Sequence, residues 1–338
     1  MLGADALRAV AGRVAGTRGF ARLVDIAESV DRPRQNALAV LMYHRVADPA
    51  EEPGLDPGLI SARPPEFAAQ MEYLARTGRV VSLEDILAAR RGDAQLPPGA
   101  LAITFDDAYR DFAEHAWPAI RSRGLPVTLF VPTGYPDRPE MTFWWDRLHH
   151  ALVTTGRDHV DTPIGRITLD GPATRTAAFK ALRDRLKQVD DAEAKSVVDR
   201  LADELDAPQP VHAVLGWDEL RDLAADGVTM GPHTRTHAFL DQVSTEQARA
   251  EIAGSRDDLE RELGTAPAAF AFPAGQHTDA VVDILQDEGF EVAFTTEPGI
   301  NDLGRADWLR LRRINIGGRS TLSLIRARLL SFAPAGAS

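Results

Sequence analysis

The amino-acid sequence lacks cysteine and long hydrophobic runs. With no Cys among 338 residues, disulfide bonds, thiolate metal ligands and a cysteine nucleophile are excluded. No stretch approaches the roughly 18–20 uninterrupted apolar residues of a membrane-spanning helix. Arginines at positions 8, 13, 18 and 22 interrupt the apolar N-terminal residues, where a signal peptide would need an apolar core of about 7–15 residues. We therefore predict a cytoplasmic protein with no transmembrane segment.

Positive charge is also scarce. The 38 Lys and Arg residues are outnumbered by 50 Asp and Glu residues, which gives a formal net charge of −12. Because nucleic-acid binding requires clustered Lys and Arg to neutralise phosphates, this balance argues against a nucleic-acid partner. Hydrophobic residues make up 44% of the chain, enough for a sizeable core. The length allows one large domain or two ordinary ones.

Residues 1–36 are predicted to form a helical extension at the N-terminus. Leu7, Val10 and Val14 share one face at helical spacing. In the simpler interpretation, such a helix packs on the surface of the domain. The alternative is peripheral association with a membrane surface or with a partner protein.

From Leu38 onward, apolar strand-like runs alternate with amphipathic helices. Strands are predicted at 38–43, 79–83, 100–105, 126–131, 228–230, 268–272, 291–295 and 308–316, and helices at 65–77, 111–123, 217–225, 245–263 and 278–288. Such alternation predicts parallel strands, and its repetition predicts an α/β fold of the distorted (β/α) barrel type. The catalytic groups of such barrels lie at the carboxyl ends of the strands.

The segment 136–215 breaks this alternation and is predicted to be an inserted, mostly helical cap. The barrel would then comprise residues 37–135 and 216–330. The insertion contains Trp144-Trp145-Asp146, whose two indoles either anchor it to the core or form a platform that stacks on sugar rings. His149 and His150 either line a substrate cleft or belong to a solvated helix end.

Two acidic residues, Asp106 and Asp107, directly follow the predicted strand 100–105. Adjacent strand residues point in opposite directions, but a turn at the strand end lets both carboxylates reach one site. If Asp107 binds a divalent cation, the nearby Asp106 stays ionised near neutral pH and is free to accept a proton. The alternative is a helix N-cap or a surface turn.

Two histidines, His233 and His237, follow the predicted strand 228–230. Because they are four residues apart, their rings converge either on one helix face or through a turn. Together with a carboxylate they form a three-ligand metal site that leaves positions open for water and substrate. This donor set suits Zn²⁺, with Co²⁺, Ni²⁺ and Fe²⁺ as competitors.

The sequence around these residues resembles the polysaccharide deacetylases, the family-four carbohydrate esterases with a NodB-type domain. Thr104-Phe-Asp-Asp-Ala-Tyr109 is similar to their TFDDG(Y) motif, and His233-Thr-Arg-Thr-His237 to their H(S/T)xxH motif. Phe270-Ala-Phe-Pro-Ala-Gly275 resembles their third motif, usually aromatic-x-Pro-Tyr/Phe-Gly. Leu41-Met-Tyr-His44-Arg-Val46 resembles the YHxV segment of the exopolysaccharide-type members, whose motif order is permuted.

The resemblance implies a role for each of these residues. Asp106 would be the general base, and Asp107, His233 and His237 would be the metal ligands. The backbone N–H of Ala274 would bind the oxyanion that forms at the substrate carbonyl. His44 would be the general acid, because the Leu-x-His sequence that supplies it near the C-terminus of many members is absent.

This sequence departs from the family pattern at two further points. Ala108 replaces the glycine of the first motif, which matters only if that residue needs a positive φ. The arginine that often orients the base, a few residues before the third-motif proline, is also absent. Arg312 or Arg313 is the predicted substitute.

The resemblance thus implies a metal-dependent hydrolase that removes N-acetyl groups from an N-acetylated saccharide, either a polymer or an intermediate of glycan biosynthesis. One alternative is a catalytically inactive carbohydrate-binding barrel, which the retained base and ligands argue against. Another is a ferrous two-His-one-carboxylate oxygenase. The strand–helix alternation argues against the oxygenase, because such sites usually lie in a double-stranded β-helix.

Overall fold

The computed structural model describes residues 17–51, 54, 56–138, 140–189, 191–208, 210 and 213–330. Its helices are α1 (Arg18–Val30), α2 (Pro64–Thr77), α3 (Leu83–Arg91), α4 (Trp117–Arg121), α5 (Trp144–Thr154), α6 (Pro172–Leu186), α7 (Asp191–Glu204), α8 (Trp217–Ala225), α9 (Thr245–Leu263), α10 (Asp279–Asp287) and α11 (Leu322–Arg328). Its strands are β1 (Ala37–Tyr43), β2 (Arg45–Val46), β3 (Ile60–Ala62), β4 (Ala100–Phe105), β5 (Thr128–Val131), β6 (His159–Thr162), β7 (Gly165–Thr168), β8 (Thr229–Pro232), β9 (Ala269–Ala271), β10 (Val292–Phe294), β11 (Asn301–Asp302) and β12 (Ile314–Asn315).

The strands form a central, mostly parallel sheet. Its order is β11, β1, β4, β5, β8, with β12 also paired to β1. β4 runs parallel to β1 in a register that places Phe105 beside Tyr43, and β5 and β8 continue in parallel beyond it. The carboxyl ends of β1, β4, β5 and β8 therefore meet at one edge of the sheet, where the residues that follow each strand come together.

Hydrogen bonds connect the two sides of the sheet to a separate strand pair, although the ladder does not close into a barrel among the described residues. β9 and β10 form a separate parallel pair. Beyond β10, the N–H of Thr295 donates to the carbonyl of Leu311, shortly before β12 pairs with β1. On the other side of the pair, a hydrogen bond from the His233 ring to the Ala271 carbonyl links β8 to β9. This arrangement confirms the predicted α/β fold with a parallel sheet.

Apolar side chains cover both faces of the strands, which explains why the strands read as continuous hydrophobic runs. Alternate residues such as Val40 and Ala102 lie in a buried cluster with α3, β9 and β10. The intervening residues, such as Leu41 and Ile103, lie in a larger cluster with α2, α4 and the helices of segment 136–215. The two-residue period of a strand therefore places one set of side chains on each side of the sheet.

Two predicted strands differ from the structure. Segment 79–83 forms only a bridge at Val80, and α3 begins at Leu83. A capping box starts this helix, because the Ser82 hydroxyl accepts from the N–H of Asp85 and the Asp85 carboxylate accepts from the N–H of Ser82. Segment 308–316 is reduced to a bridge at Leu311 and to β12. A turn at Asp307, whose carboxylate accepts from the N–H of Leu309, delays the strand.

The predicted helix 111–123 is also divided. It begins as a π-helical turn at Phe112–Ala116 and continues as the short α4. Pro118 lies in the first turn of α4 and has no N–H to donate to the carbonyl four residues earlier. This missing donor accounts for the change of helical type at that point.

Helix α1 is the described part of the predicted N-terminal extension. It buries Val24 and leaves Leu23, Ile26 and Val30 largely exposed on one stripe. Its carboxylates, Asp25 and Glu28, pair with Arg326 of α11, which ties the two ends of the described chain together. The stripe of Leu7, Val10 and Val14 lies outside the described residues. No helix in the described part of the chain is long and apolar enough to cross a membrane.

Segment 136–215 contains α5, α6 and α7 and an antiparallel hairpin of β6 and β7. Its buried apolar side chains, including Leu148, Leu182 and Leu201, belong to the same hydrophobic cluster as Leu41 and Ile103 of the central sheet. The insertion and the sheet therefore share one continuous core.

Candidate metal centre and active site

The two carboxylates predicted to share a site lie at the carboxyl end of β4. Asp106 and Asp107 are both buried. Asp107 and Ala108 have positive φ values of 73° and 51°, so the chain turns sharply after the strand and directs both carboxylates to one edge of the sheet. Ala108 therefore occupies the left-handed conformation that its glycine counterpart would favour. The strain of about 1–2 kcal/mol is partly offset by burial of its methyl group, worth about 0.8 kcal/mol.

The two histidines lie in a loop after β8, so they converge through a turn and not on a helix face. Thr234 and His237 within this loop also have positive φ values, 60° and 58°. Left-handed conformations of non-glycine residues cost free energy and persist only where the surroundings hold them. Glu251 of α9 provides one such support, because its carboxylate accepts hydrogen bonds from the N–H groups of Arg235 and Thr236.

Asp107, His233 and His237 place one ligand atom each within 4.8 Å of one another. Oδ1 of Asp107 lies 3.6 Å from Nε2 of His233 and 3.2 Å from Nε2 of His237. Tetrahedral zinc with bonds of 2.0–2.2 Å separates its ligands by about 3.4 Å, so the spacing fits such an ion. Oδ1 of Asp107 is buried without a hydrogen-bond partner in the described structure, as expected of an atom arranged for a cation.

The protonation states also suit metal binding. Nδ1 of His233 donates to the carbonyl of Ala271 at 2.7 Å, which leaves the lone pair of Nε2 directed into the site. Burial lowers the pKa of His233 to about 4, so its imidazole is neutral at physiological pH. Burial opposes ionisation of Asp107, but the neighbouring His237, His44 and His233 outweigh it and keep the pKa of Asp107 well below its ordinary value.

Asp106 is held by a fully buried arginine. Nη1 and Nη2 of Arg313 donate to the two carboxylate oxygens of Asp106 at 2.8 and 2.7 Å, and Nε of Arg313 donates to the carbonyl of Thr295. Burial tends to raise the pKa of Asp106, but the Arg313 guanidinium overcomes it and lowers the pKa below its ordinary value. Of the two predicted substitutes, Arg313 contacts the carboxylate, whereas Arg312 lies near the exposed Glu297.

His44 lies beside the carboxylate pair. It follows β1 directly, and the N–H of Asp106 donates to the carbonyl of the preceding Tyr43. The ring of His44 is partly exposed, and its charge lowers the pKa of both Asp106 and Asp107. A partly exposed imidazole next to a buried carboxylate pair is suited to donating a proton to a bound substrate.

The segment predicted to supply the oxyanion donor follows β9. Ala274 is exposed and has a φ of 52° inside a 3₁₀ turn, Pro273–Gly275. It lies three residues after Ala271, whose carbonyl orients His233. The peptide of Ala274 therefore follows closely on the carboxyl end of β9, whose last residue contacts His233.

The tryptophans of the insertion are anchors. Trp144 and Trp145 are only 2% and 7% exposed, so their faces are not available to stack on a sugar ring. The interpretation as a solvated helix end is wrong for His149 and stays a prediction for the half-buried His150. His149 is buried with its Nδ1 2.9 Å from the carbonyl of Gly54, and burial lowers the pKa of His150.

Several supporting residues were not identified from the sequence. Asp258 of α9 receives two hydrogen bonds from Arg235, between the two histidines, and Arg45 is buried against Asp146 of the insertion. For the contact of Arg235 with Asp258, the only local signal in the sequence was an arginine between the two histidines of the motif. The second contact joins residues 101 positions apart, and no local pattern predicts such a pairing.

Replacing Glu251 with alanine is expected to lower the free energy of unfolding by about 1–3 kcal/mol, because two backbone donors of the histidine loop lose their acceptor. Zinc affinity should fall as well, since the loop that presents His233 and His237 loosens. Urea unfolding of the metal-free protein and zinc competition with a chelator measure the two effects. Glu260, exposed on the same helix, is the control. Equal effects of Glu251→Ala and Glu260→Ala would refute the supporting role.

The chain is similar in sequence to known polysaccharide deacetylases. A family model described as "Polysaccharide deacetylase" matches residues 93–293, more than half of the chain. The poly-beta-1,6-N-acetyl-D-glucosamine N-deacetylase of Escherichia coli K12 is 22% identical over 273 residues, which is 80% of this chain. The chain spans only 36% of the length of that relative.

Solved structures show the same fold. The Streptococcus pyogenes deacetylase PplD, solved in complex with acetate, superposes with a TM-score of 0.59 at 20% identity, over 88% of this chain and 99% of PplD. IcaB from Ammonifex degensii superposes with a TM-score of 0.56 at 20% identity, over 88% of this chain and 98% of IcaB. At this level of identity, the likeness establishes the architecture.

Proposed function

Because this chain belongs to the polysaccharide deacetylase family, we propose that it is a metal-dependent hydrolase that removes N-acetyl groups from an N-acetylated saccharide. The observation that supports this most directly is the convergence of Asp107, His233 and His237 beside the buried, arginine-paired Asp106. A three-ligand set with a separate ionised carboxylate is what metal-assisted hydrolysis requires.

Asp107, His233 and His237 would hold the ion, with zinc the first candidate for this donor set. When bound, such an ion would act as a Lewis acid, which lowers the pKa of water and polarises the acetamide carbonyl. Asp106, kept ionised by Arg313, accepts the proton of the attacking water. The N–H of Ala274 donates to the oxyanion of the tetrahedral intermediate. His44 then protonates the departing amine, and acetate is released.

The named relative suggests where to look for the substrate. The Escherichia coli protein is named as acting on poly-beta-1,6-N-acetyl-D-glucosamine, so we propose an N-acetylglucosamine-containing exopolysaccharide as the first substrate to examine. The net charge of −12 agrees with this choice, because a partly deacetylated polymer is cationic and an acidic protein attracts it.

Acetate release from N-acetylglucosamine oligomers tests the proposed function. Purified protein should release acetate when loaded with zinc, lose this activity when treated with a chelator, and regain it when zinc is restored. Consumption of oxygen with ferrous iron, without acetate release, would instead indicate the oxygenase. Saccharide binding with neither reaction, across an N-acetylated glycan panel, would indicate the inactive binding protein.

Replacing His44 with glutamine is expected to lower kcat for deacetylation by about 10²-fold, because the leaving amine loses its proton donor. Zinc affinity should stay nearly unchanged, since His44 is outside the ligand set. Steady-state kinetics with zinc-loaded protein measure the effect. His115, in the π-helical turn, supplies the matched control His115→Gln. A His44→Gln variant with wild-type kcat would show that the acid is another group.

A further inference from the structure

We propose that Phe143 and Trp145 of the insertion are positioning residues for His237. Their packing would orient the His237 ring, as a hydrogen bond to the Ala271 carbonyl orients the His233 ring. The insertion would then be part of the metal site and not an accessory cap. This inference rests on the proposed function in one respect, namely that Asp107, His233 and His237 hold a metal ion.

The two histidines differ in how their rings are fixed. Nδ1 of His233 donates to the carbonyl of Ala271 at 2.7 Å. Nδ1 of His237 is buried and has no hydrogen-bond partner in the described structure. Metal-binding histidines almost always use the second ring nitrogen for such a hydrogen bond, which fixes the orientation of the ring. Something else must therefore orient His237, whose backbone is also held at a φ of 58°.

Aromatic packing from the insertion meets this need. The Trp145 ring lies 4.9 Å from the His237 ring at an interplanar angle of 64°, and the Phe143 ring lies 5.5 Å away at 77°. Both are edge-to-face contacts of the favourable kind. Phe143 and Trp145 are stacked on each other at 4.6 Å and 13°, so they form one wall. Being 1% and 7% exposed, the two residues have little room to move.

Trp145 is in turn hydrogen-bonded to the loop that follows β4 and contains Asp107. Its indole N–H donates to the hydroxyl of Tyr109 at 3.1 Å, and Tyr109 is two residues after Asp107. The buried guanidinium of Arg45 lies over the Tyr109 ring at 3.6 Å and pairs with Asp146 at 2.8 Å. Residues 143–146 of the insertion therefore contact both the histidine loop and the loop that follows β4, and they hold the two sources of ligands in register.

Zinc affinity of Trp145→Leu and Trp144→Leu tests the proposal. Trp144 is a matched control, since it is also buried on the same helix, at 2% exposed against 7% for Trp145, and its ring packs on Trp145. We expect Trp145→Leu to weaken zinc affinity by about 10–100-fold and Trp144→Leu by less than about threefold. Competition with a chromophoric chelator measures both, and the visible absorption of bound Co²⁺ reports the geometry around the ion.

Trp145→Phe separates ring packing from the hydrogen bond to Tyr109. This variant keeps an aromatic edge against His237 but has no indole N–H. Its zinc affinity should therefore stay within about fivefold of wild type, and its Co²⁺ spectrum should change little. Wild-type zinc affinity in Trp145→Leu, or an equal loss in Trp144→Leu, would overturn the positioning role while leaving the proposed function intact. A wild-type protein that binds neither zinc nor cobalt would overturn both.

Discussion

An Asp106→Asn variant is expected to lose about 10³-fold in kcat for deacetylation while its zinc affinity stays within a few-fold of wild type. The asparagine keeps the size of the side chain but cannot accept a proton from the attacking water. The proposed ligand atoms belong to Asp107, His233 and His237, so the ion should still bind. Initial-rate measurement of acetate release from zinc-loaded protein gives kcat, and chelator competition gives the affinity.

The neighbouring carboxylate supplies the control for this experiment. Asp107→Asn should weaken zinc affinity strongly, because Oδ1 of Asp107 lies closest to both histidines, and its activity should partly return with excess zinc. Asp106→Asn should not respond to excess zinc. If Asp106→Asn retained wild-type kcat, the base would be another group. If it lost zinc as Asp107→Asn does, Asp106 would be a ligand.

Arg313→Met is expected to lower the free energy of unfolding by about 3–5 kcal/mol, because it leaves Asp106 as a buried charge without a partner. Arg313 is 0% exposed and Asp106 is 3% exposed, so water cannot replace the lost contacts. The same variant should also lose most deacetylase activity, since the orientation of the carboxylate depends on two hydrogen bonds from Arg313. Chemical unfolding of the metal-free protein measures the loss of stability.

Arg312 is the matched control for Arg313. It is the preceding residue, its nearest carboxylate is 3.6 Å away on Glu297, and both side chains are about half exposed. Arg312→Met should therefore cost less than about 1 kcal/mol. The double variant Asp106→Asn/Arg313→Met should be more stable than Arg313→Met alone, because no unpaired charge remains. Equal costs for the two arginine variants would contradict the buried ion pair.

The location of the candidate metal site was predictable because its signals are local. Asp106-Asp107 and His233 each follow an apolar strand, and the carboxyl ends of parallel strands meet at one edge. The structure shows β4 and β8 in the same sheet with β5 between them. The roles of Asp106, Asp107 and His44 remain predictions that the experiments above address, and the role of the Ala274 N–H remains a prediction as well.

Other features could not be predicted because they depend on which way a residue faces in the assembled fold. Arg312 and Arg313 are neighbours before β12, and only their alternation decides that Arg313 points to Asp106. The burial of His149 was not predicted, because an amphipathic helix is expected to expose one face to solvent. Helix α5 is instead buried on most of its surface. The contact of Trp145 with His237 joins distant segments and leaves no periodic signal in the sequence.

The pairing of Arg313 with Asp106 has a consequence for synthesis of the chain on the ribosome. The two residues are 207 positions apart, and β12 beside them completes the pairing with β1, near the beginning of the chain. At about 5–20 residues per second, roughly 10–40 s separate the translation of Asp106 from that of Arg313. During this interval β1 and β4 have been translated, but the Asp106 carboxylate at the end of β4 has no guanidinium to pair with. We therefore expect Asp106 to lack its guanidinium partner until Arg313 has been translated and β12 can pair with β1.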